Sequence, residues 1–166
     1  MRNHRISMKV KNQSPYCLVP NGQYAYWGEN CSGPSPVNTS SEDSGGVFRA
    51  QAAPWVGCAG VSGYNLSRND KDTPDVWIIL MGSNPDFTQE DNRAGVLMQS
   101  LPISPDKNAY KRLYDGNTTS VSLPFDHGIF TLTSKIGYGE DCTATFILTF
   151  QEGLDVTREA LQAPRP

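Results

Sequence analysis

A mainly β fold, an antiparallel β-sandwich with one or two short flanking helices, is what this 166-residue sequence predicts. Three observations predict it. Apolar and polar residues alternate in several short runs, the period of a strand with one buried face. Clusters of Gly, Pro, Asn, Asp and Ser interrupt the chain too often for long helices. A single segment, 104–117, carries helix start and stop signals.

Taken in order, the first strand is marked by Ile6, Met8 and Val10 alternating with Ser7, Lys9 and Lys11. VFRAQAA repeats the pattern at Phe48, Ala50 and Ala52. DVWIILMG (75–82) is a continuous apolar run, as expected of a central strand covered on both faces. GVLMQSLPI (95–103) is the next strand. In CTATFILTF, Cys142, Ala144, Phe146, Leu148 and Phe150 share one face, while Thr143, Thr145 and Thr149 point the other way. That pattern predicts a half-buried antiparallel strand. Turns are expected at PNGQ (20–23), CSGPSP (31–36), SEDSGG (41–46), RNDKDTPD (68–75) and YDGN (114–117).

In the helical segment Ser104 is the expected N-cap, with Pro105 at the first helical position and Asp106 complementing the N-terminal partial charge. Gly116 is expected to end the helix in the left-handed conformation. Ala109 and Leu113 form the stripe to be buried, Tyr110 and Tyr114 a neighbouring stripe, and Lys107, Lys111 and Arg112 stay solvated. The two tyrosines either cover the core with their hydroxyls outward or present an aromatic platform for a ligand, such as a quaternary ammonium group or a sugar ring. Residues 1–153 read as a single domain and 154–166 as a C-terminal tail, a short helix followed by a disordered end.

A net charge of -3 and an isoelectric point near 5.3 argue against a nucleic-acid partner and against binding anionic lipid by charge alone. No apolar run reaches the roughly 18 residues that a transmembrane helix requires. The start, MRNHRISMKV, lacks a signal peptide's apolar stretch, so the chain is expected to be leaderless or to have lost its leader. Asn-X-Ser/Thr sites at Asn12, Asn30, Asn38, Asn65 and Asn117 are weak pointers to secretion. Cys17, Cys31, Cys58 and Cys142 allow two disulfides in three ways, or none; Cys17 and Cys142, in apolar segments, are expected to be buried.

Metal, cofactor and enzyme readings find little to stand on. No C-x-x-C pair occurs, and His4 and His127 lie far apart in sequence, against zinc. Asp70, Asp72 and Asp75 are more economically a polar loop than a calcium site. GVSGY departs from the nucleophile elbow at Tyr64, and nothing in their spacing links Cys58, Asp126 and His127 as a nucleophile set. No cofactor and no enzymatic activity are expected. Trp27 and Trp55 plug the core or, if exposed, Trp27 with Tyr24 and Tyr26 suits contact with a glycan or a lipid interface.

Three blocks of the sequence resemble the actinoporin-like superfamily, which comprises sea-anemone cytolysins and fungal fruit-body lectins, with the aegerolysins as architectural cousins. RISMKVKNQSPYCL is similar to the first sandwich strand and its Asn-rich exit. GVSGYNLS and VWIILMGSNPDF are similar to the small-residue segment, the central strand and the S-x-P loop, here Ser83, Asn84 and Pro85. AYKRLYDGN is similar to the Tyr-x-x-x-Tyr helix. The resemblance, covering most of residues 5–150, implies a headgroup pocket between the S-x-P loop and the helix. Carried over, Ser83, Pro85, Tyr110 and Tyr114 match the lipid-headgroup site.

Three departures qualify what the resemblance implies. Asp115 stands where the anemone proteins have a second adjacent tyrosine, and DFTQEDNRAG (86–95) replaces their aromatic membrane loop, leaving only Phe87 to insert. About five residues precede Ile6, against the roughly 20 of a membrane-crossing helix, so no autonomous pore is expected. The expectation is a phosphocholine-binding module, cytolysin-like but without the pore-forming segment. Membrane damage would then need a homo-oligomer or a pore-forming partner protein. A glycan-binding lectin, with Asp115 accepting sugar hydroxyls, is the alternative, and a protein-binding effector that kept the fold is a third.

Overall fold

The computed structural model describes residues 4–51, 57–68, 73–85 and 91–153. Ten strands and one helix follow in order: β1 Arg5–Gln13, β2 Val19–Trp27, β3 Glu29–Ser32, β4 Ser41–Arg49, β5 Cys58–Leu66, β6 Val76–Asn84, β7 Arg93–Gln99, α1 Lys107–Gly116, β8 Ser120–Phe125, β9 Gly128–Ile136 and β10 Asp141–Glu152. They form two sheets, β3-β4-β1-β10-β9-β8 and β2-β5-β6-β7. The predicted β-sandwich is therefore the fold observed, and the described residues contain one helix.

The alternating strands bury the faces expected of them. In β1, Ile6, Met8 and Val10 point inward; in β10, Cys142, Ala144, Phe146 and Leu148 do. Together with Phe48, Ile78, Leu80 and Phe130 they fill the core between the sheets. Complete burial of a Phe or Ile side chain there contributes about 2–3 kcal/mol. The apolar run of β6 has a second cause: its other face, through Ile79 and Met81, packs with Ala59, Val61 and Leu97 against Ala109, Tyr110 and Leu113 of α1. Both of its faces are covered, so both must be apolar. Pro105, just ahead of the helix, lies over β5, where a Cβ on Gly63 would come within 3.0 Å of its ring.

Several expectations are corrected. β10 is antiparallel to β9 but parallel to β1, so the first and last strands lie side by side in the middle of the larger sheet. SEDSGG is not a turn: it begins β4, and its two glycines mark a bulge where the β1 pairing steps from Met8↔Gly46 to Lys9↔Ser44. A Cβ on Gly45 would lie 2.8 Å from Val10 Cγ2, and Gly46 has φ +107°. PNGQ is likewise inside β2, where the pairing with β5 skips between Pro20 and Gln23. β4 ends at Arg49, before Ala50, and Ala52 lies outside the described residues. Cys17 is exposed, and all four cysteines are free thiols.

The helix begins two residues later than its sequence signals imply. Asp106 is the N-cap, its carboxylate accepting from the Ala109 N–H at 2.9 Å, and Asn117, not Gly116, takes the left-handed conformation at φ 48°. An aspartate nearer the apolar stripe reaches the free N–H groups that Ser104 cannot. The Asn117 N–H closes the last turn on the Leu113 carbonyl.

Candidate functional site at one end of the sandwich

Strand register gathers the predicted site residues. Ser83, near the end of β6, pairs with Arg93 of β7 on one side and Ala59 of β5 on the other. By alternation Ser83 shares its face with Ile79 and Met81, the face that α1 covers. Trp27 closes β2 opposite Ala59, so it belongs to the same end of the molecule.

Across this end runs a connected series of rings. Trp27 and Tyr26 have centroids 5.3 Å apart, Tyr26 stacks on Tyr110 at 4.3 Å, and Tyr110 stacks on Tyr114 at 5.9 Å. Arg93 completes it: its guanidinium lies 4.4 Å over the Tyr114 ring, and its Nη1 donates to the Tyr114 carbonyl at 3.3 Å. The i, i+4 spacing of the two helix tyrosines produces their half of the stack, and β2 running beneath the helix supplies the rest.

The members differ in access. Tyr110 is 2 % exposed and Ser83 fully buried, so both lie beneath the surface rather than on it. Burial raises the Tyr110 phenol well above its ordinary value; Ser83 offsets part of this, Tyr114 and Tyr26 add to it, and Arg93 lowers it. The Ser83 and Tyr110 hydroxyls interact, yet neither completes a hydrogen bond of ordinary geometry. Tyr24, Tyr26 and Tyr114 are half-buried against the helix-side core, as is Pro85 at the surface, whereas Trp27 is 38 % exposed and Asp115 is exposed on α1. Of the two readings of the tyrosine pair, Tyr110 covers the core and Tyr114 reaches the surface. Phe87 and Trp55 lie outside the described residues.

Arg93 was not among the expected site residues. Its signal was available in the pairing of VWIILMGS with RAGVLMQ as a hairpin, which puts Arg93 opposite Ser83. Asp75 accepts from the Arg68 backbone N–H at 2.6 Å, while Asp70 and Asp72 lie outside the described residues. Among the described residues no group of His, Cys, Asp and Glu is placed to hold a metal. Cys58 is buried beside Ala59 at the Ser83 end, whereas Asp126 and His127 are exposed in the β8–β9 turn. Of the Asn-X-Ser/Thr asparagines, Asn12 is fully buried and donates to the carbonyls of Tyr16, Val37 and Asn38.

Neither protein-family models nor curated protein sequences give a match to this chain. Solved structures do. The lipid-binding protein Nakanori superposes with a TM-score of 0.65 at 14 % identity, covering 88 % of this chain and 71 % of that one. The wild-type lectin XCL of Xerocomus chrysenteron superposes with a TM-score of 0.51 at 10 % identity, covering 89 % of this chain and 99 % of that one. A methionine-substituted variant of the same lectin gives the same score and identity, with 98 % of that chain covered. At these identities the likeness is one of fold. With its two sheets and its covering helix, the chain shares a β-sandwich fold with Nakanori and with the lectin XCL.

Proposed function

We propose that this protein is a binding module for a membrane component, a lipid headgroup of the phosphocholine type. The observation that carries the reading is the series Trp27, Tyr26, Tyr110 and Tyr114 ending under the Arg93 guanidinium beside Ser83-Asn84-Pro85. Aromatic faces attract a quaternary ammonium through their quadrupole, and a guanidinium donates paired hydrogen bonds to a phosphate. Trp27, Tyr26 and Tyr114 meet the ligand, Arg93 takes the phosphate, and buried Tyr110 and Ser83 hold the rings from below. Nakanori, named as a lipid-binding protein, lends the reading support by fold.

A glycan ligand is the second reading, favoured by two observations. Asp115 is an exposed carboxylate next to Tyr114, and Arg93 already covers Tyr114 with one cation, which disfavours a second there. The lectin XCL shares the fold. Co-sedimentation with vesicles of phosphatidylcholine, with and without sphingomyelin, separates the two. Wild type is expected to pellet with the vesicles, and Trp27→Ala and Arg93→Gln to weaken binding at least tenfold without loss of thermal stability. Absence of wild-type binding to both mixtures defeats the lipid reading, and a glycan array then tests the other. Dye release in the same tubes reports whether binding becomes lysis.

A further inference from the structure

We infer that the β9–β10 hairpin tip, through Tyr138, is a second contact point that seats in the interfacial layer of a zwitterionic bilayer; the inference rests on the headgroup reading above. Tyr138 is 92 % exposed, more than any other large hydrophobic side chain among the described residues. An exposed tyrosine alone is ordinary in a protein surface. What sets this one apart is how its backbone is held and where.

The tip reads Gly137-Tyr138-Gly139-Glu140, with Gly139 at φ +92°. One side-chain amide, that of Asn92, donates to the carbonyls of Gly137 at 2.9 Å and of Gly139 at 3.1 Å, one on each side of the tyrosine. The Glu140 carbonyl accepts from Asn84 Nδ2 and from the Arg5 N–H, both at 2.7 Å. The Gly137 N–H bonds to the Thr143 carbonyl at 3.1 Å. A ring on a tip fastened this way is presented in one place before any partner arrives, which reduces the ordering entropy that binding would otherwise cost.

The fastening residues also fix the location. Asn92 directly precedes Arg93, and Asn84 lies between Ser83 and Pro85, so the tip stands at the end of the sandwich that holds the aromatic series. Trp27 is at the same end on β2, in the other sheet from Tyr138. The Arg93–Tyr114 site thus shares its end of the molecule with two exposed amphipathic aromatics, one from each sheet. Such side chains favour the layer between water and hydrocarbon, where the ring is shielded and the polar atom stays wet.

Charge selects the kind of surface. Exposed Asp91, Glu140 and Asp141 surround the tip, with exposed Arg5 and Lys135 and half-buried Arg93 nearby. Among the described residues this mixed set offers no basic patch to an anionic leaflet and fits a surface with no net charge.

The test compares wild type, Tyr138→Ala and Tyr138→Trp by co-sedimentation with phosphatidylcholine–sphingomyelin vesicles, alongside calorimetric titration with soluble phosphocholine. Partial shielding of one ring corresponds to about tenfold in affinity. Tyr138→Ala is expected to bind vesicles about tenfold more weakly, Tyr138→Trp at least as well as wild type, and both to bind phosphocholine unchanged. Equal vesicle binding by wild type and Tyr138→Ala overturns the anchor and leaves the headgroup reading intact. A wild type that binds neither vesicles nor phosphocholine overturns the headgroup reading and the anchor with it. Loss of phosphocholine binding in Tyr138→Ala also overturns the anchor, by placing Tyr138 in the headgroup site itself.

Discussion

Tyr110 is the residue on which the tests of binding turn. Its ring packs between the helix and the smaller sheet, so Tyr110→Ala removes a fully buried aromatic and costs about 3–5 kcal/mol. A loss of binding in that variant would report unfolding as much as a missing contact. Tyr110→Phe keeps the stack and deletes a buried hydroxyl that lacks a hydrogen-bond partner. Urea denaturation is expected to show Tyr110→Phe as stable as wild type or more so, by up to about 1 kcal/mol. A loss of about 2 kcal/mol or more would mean that the Ser83–Tyr110 interaction is a full hydrogen bond. The cysteines offer a second residue-scale test. Burial pushes Cys58 up to about 12 and Cys142 up to about 11 from an ordinary thiol value of 9.0. At about pH 8 a thiol reagent should modify Cys17 and Cys31 and spare the other two until the chain is denatured. Folded-state values raised above unfolded ones act on an acid here: the unfolded thiols ionise first, from about pH 9, and the folded ones only near 11 and 12. Between those values the unfolded state loses protons that the native state keeps, so stability falls as the pH rises. The melting temperature should therefore fall from about pH 9 upward, and less steeply in Cys58→Ala/Cys142→Ala.

At the scale of elements, the helix and the two bulges show where local signals are ambiguous. Ser104 and Asp106 are both good N-caps by residue type, and only the backbone decides which one meets a free N–H. Asp106→Ala removes the bond to the Ala109 N–H and should cost about 1 kcal/mol, whereas Ser104→Ala should change stability by less than about 0.5 kcal/mol. Equal effects, read by thermal unfolding, would contradict the observed cap. Gly-rich and Asn-Gly stretches signal turns because they supply positive φ, but a bulge needs the same conformations. SEDSGG and PNGQ were therefore legible as breaks in regular pairing and not as strand interiors. Gly60 shows the tighter use of glycine: a Cβ there would sit 2.2 Å from Phe48 Cε1 and 2.6 Å from the Tyr24 carbonyl. Since the carbonyl belongs to the paired β2 backbone, Gly60→Ala should destabilise by about 2 kcal/mol or more in chemical denaturation.

For the whole molecule, the parallel pairing of β1 with β10 joins segments more than a hundred residues apart, with Arg5 opposite Asp141 and Gln13 opposite Thr149. This closes the larger sheet through its middle and brings Arg5, Asn84, Asn92 and the β9–β10 tip to one end. The Tyr138 contact depends on that closure, whereas Trp27, Ser83, Arg93 and Tyr114 are positioned by the smaller sheet and the helix that covers it.

The sequence by itself determined the fold class, the inward faces of β1 and β10, the doubly covered β6 and the helix with its Tyr-x-x-x-Tyr face. Each of these is written in a period of two or of 3.6 residues, which a short window of chain displays. Only the tertiary structure decided that Tyr110 is buried while Tyr114 reaches the surface, that Arg93 caps the stack, that β1 runs parallel to β10, and that Asn92 fastens the tip carrying Tyr138. Those outcomes depend on which strand lies beside which and in what register, a choice made by long-range packing that leaves no local period to read.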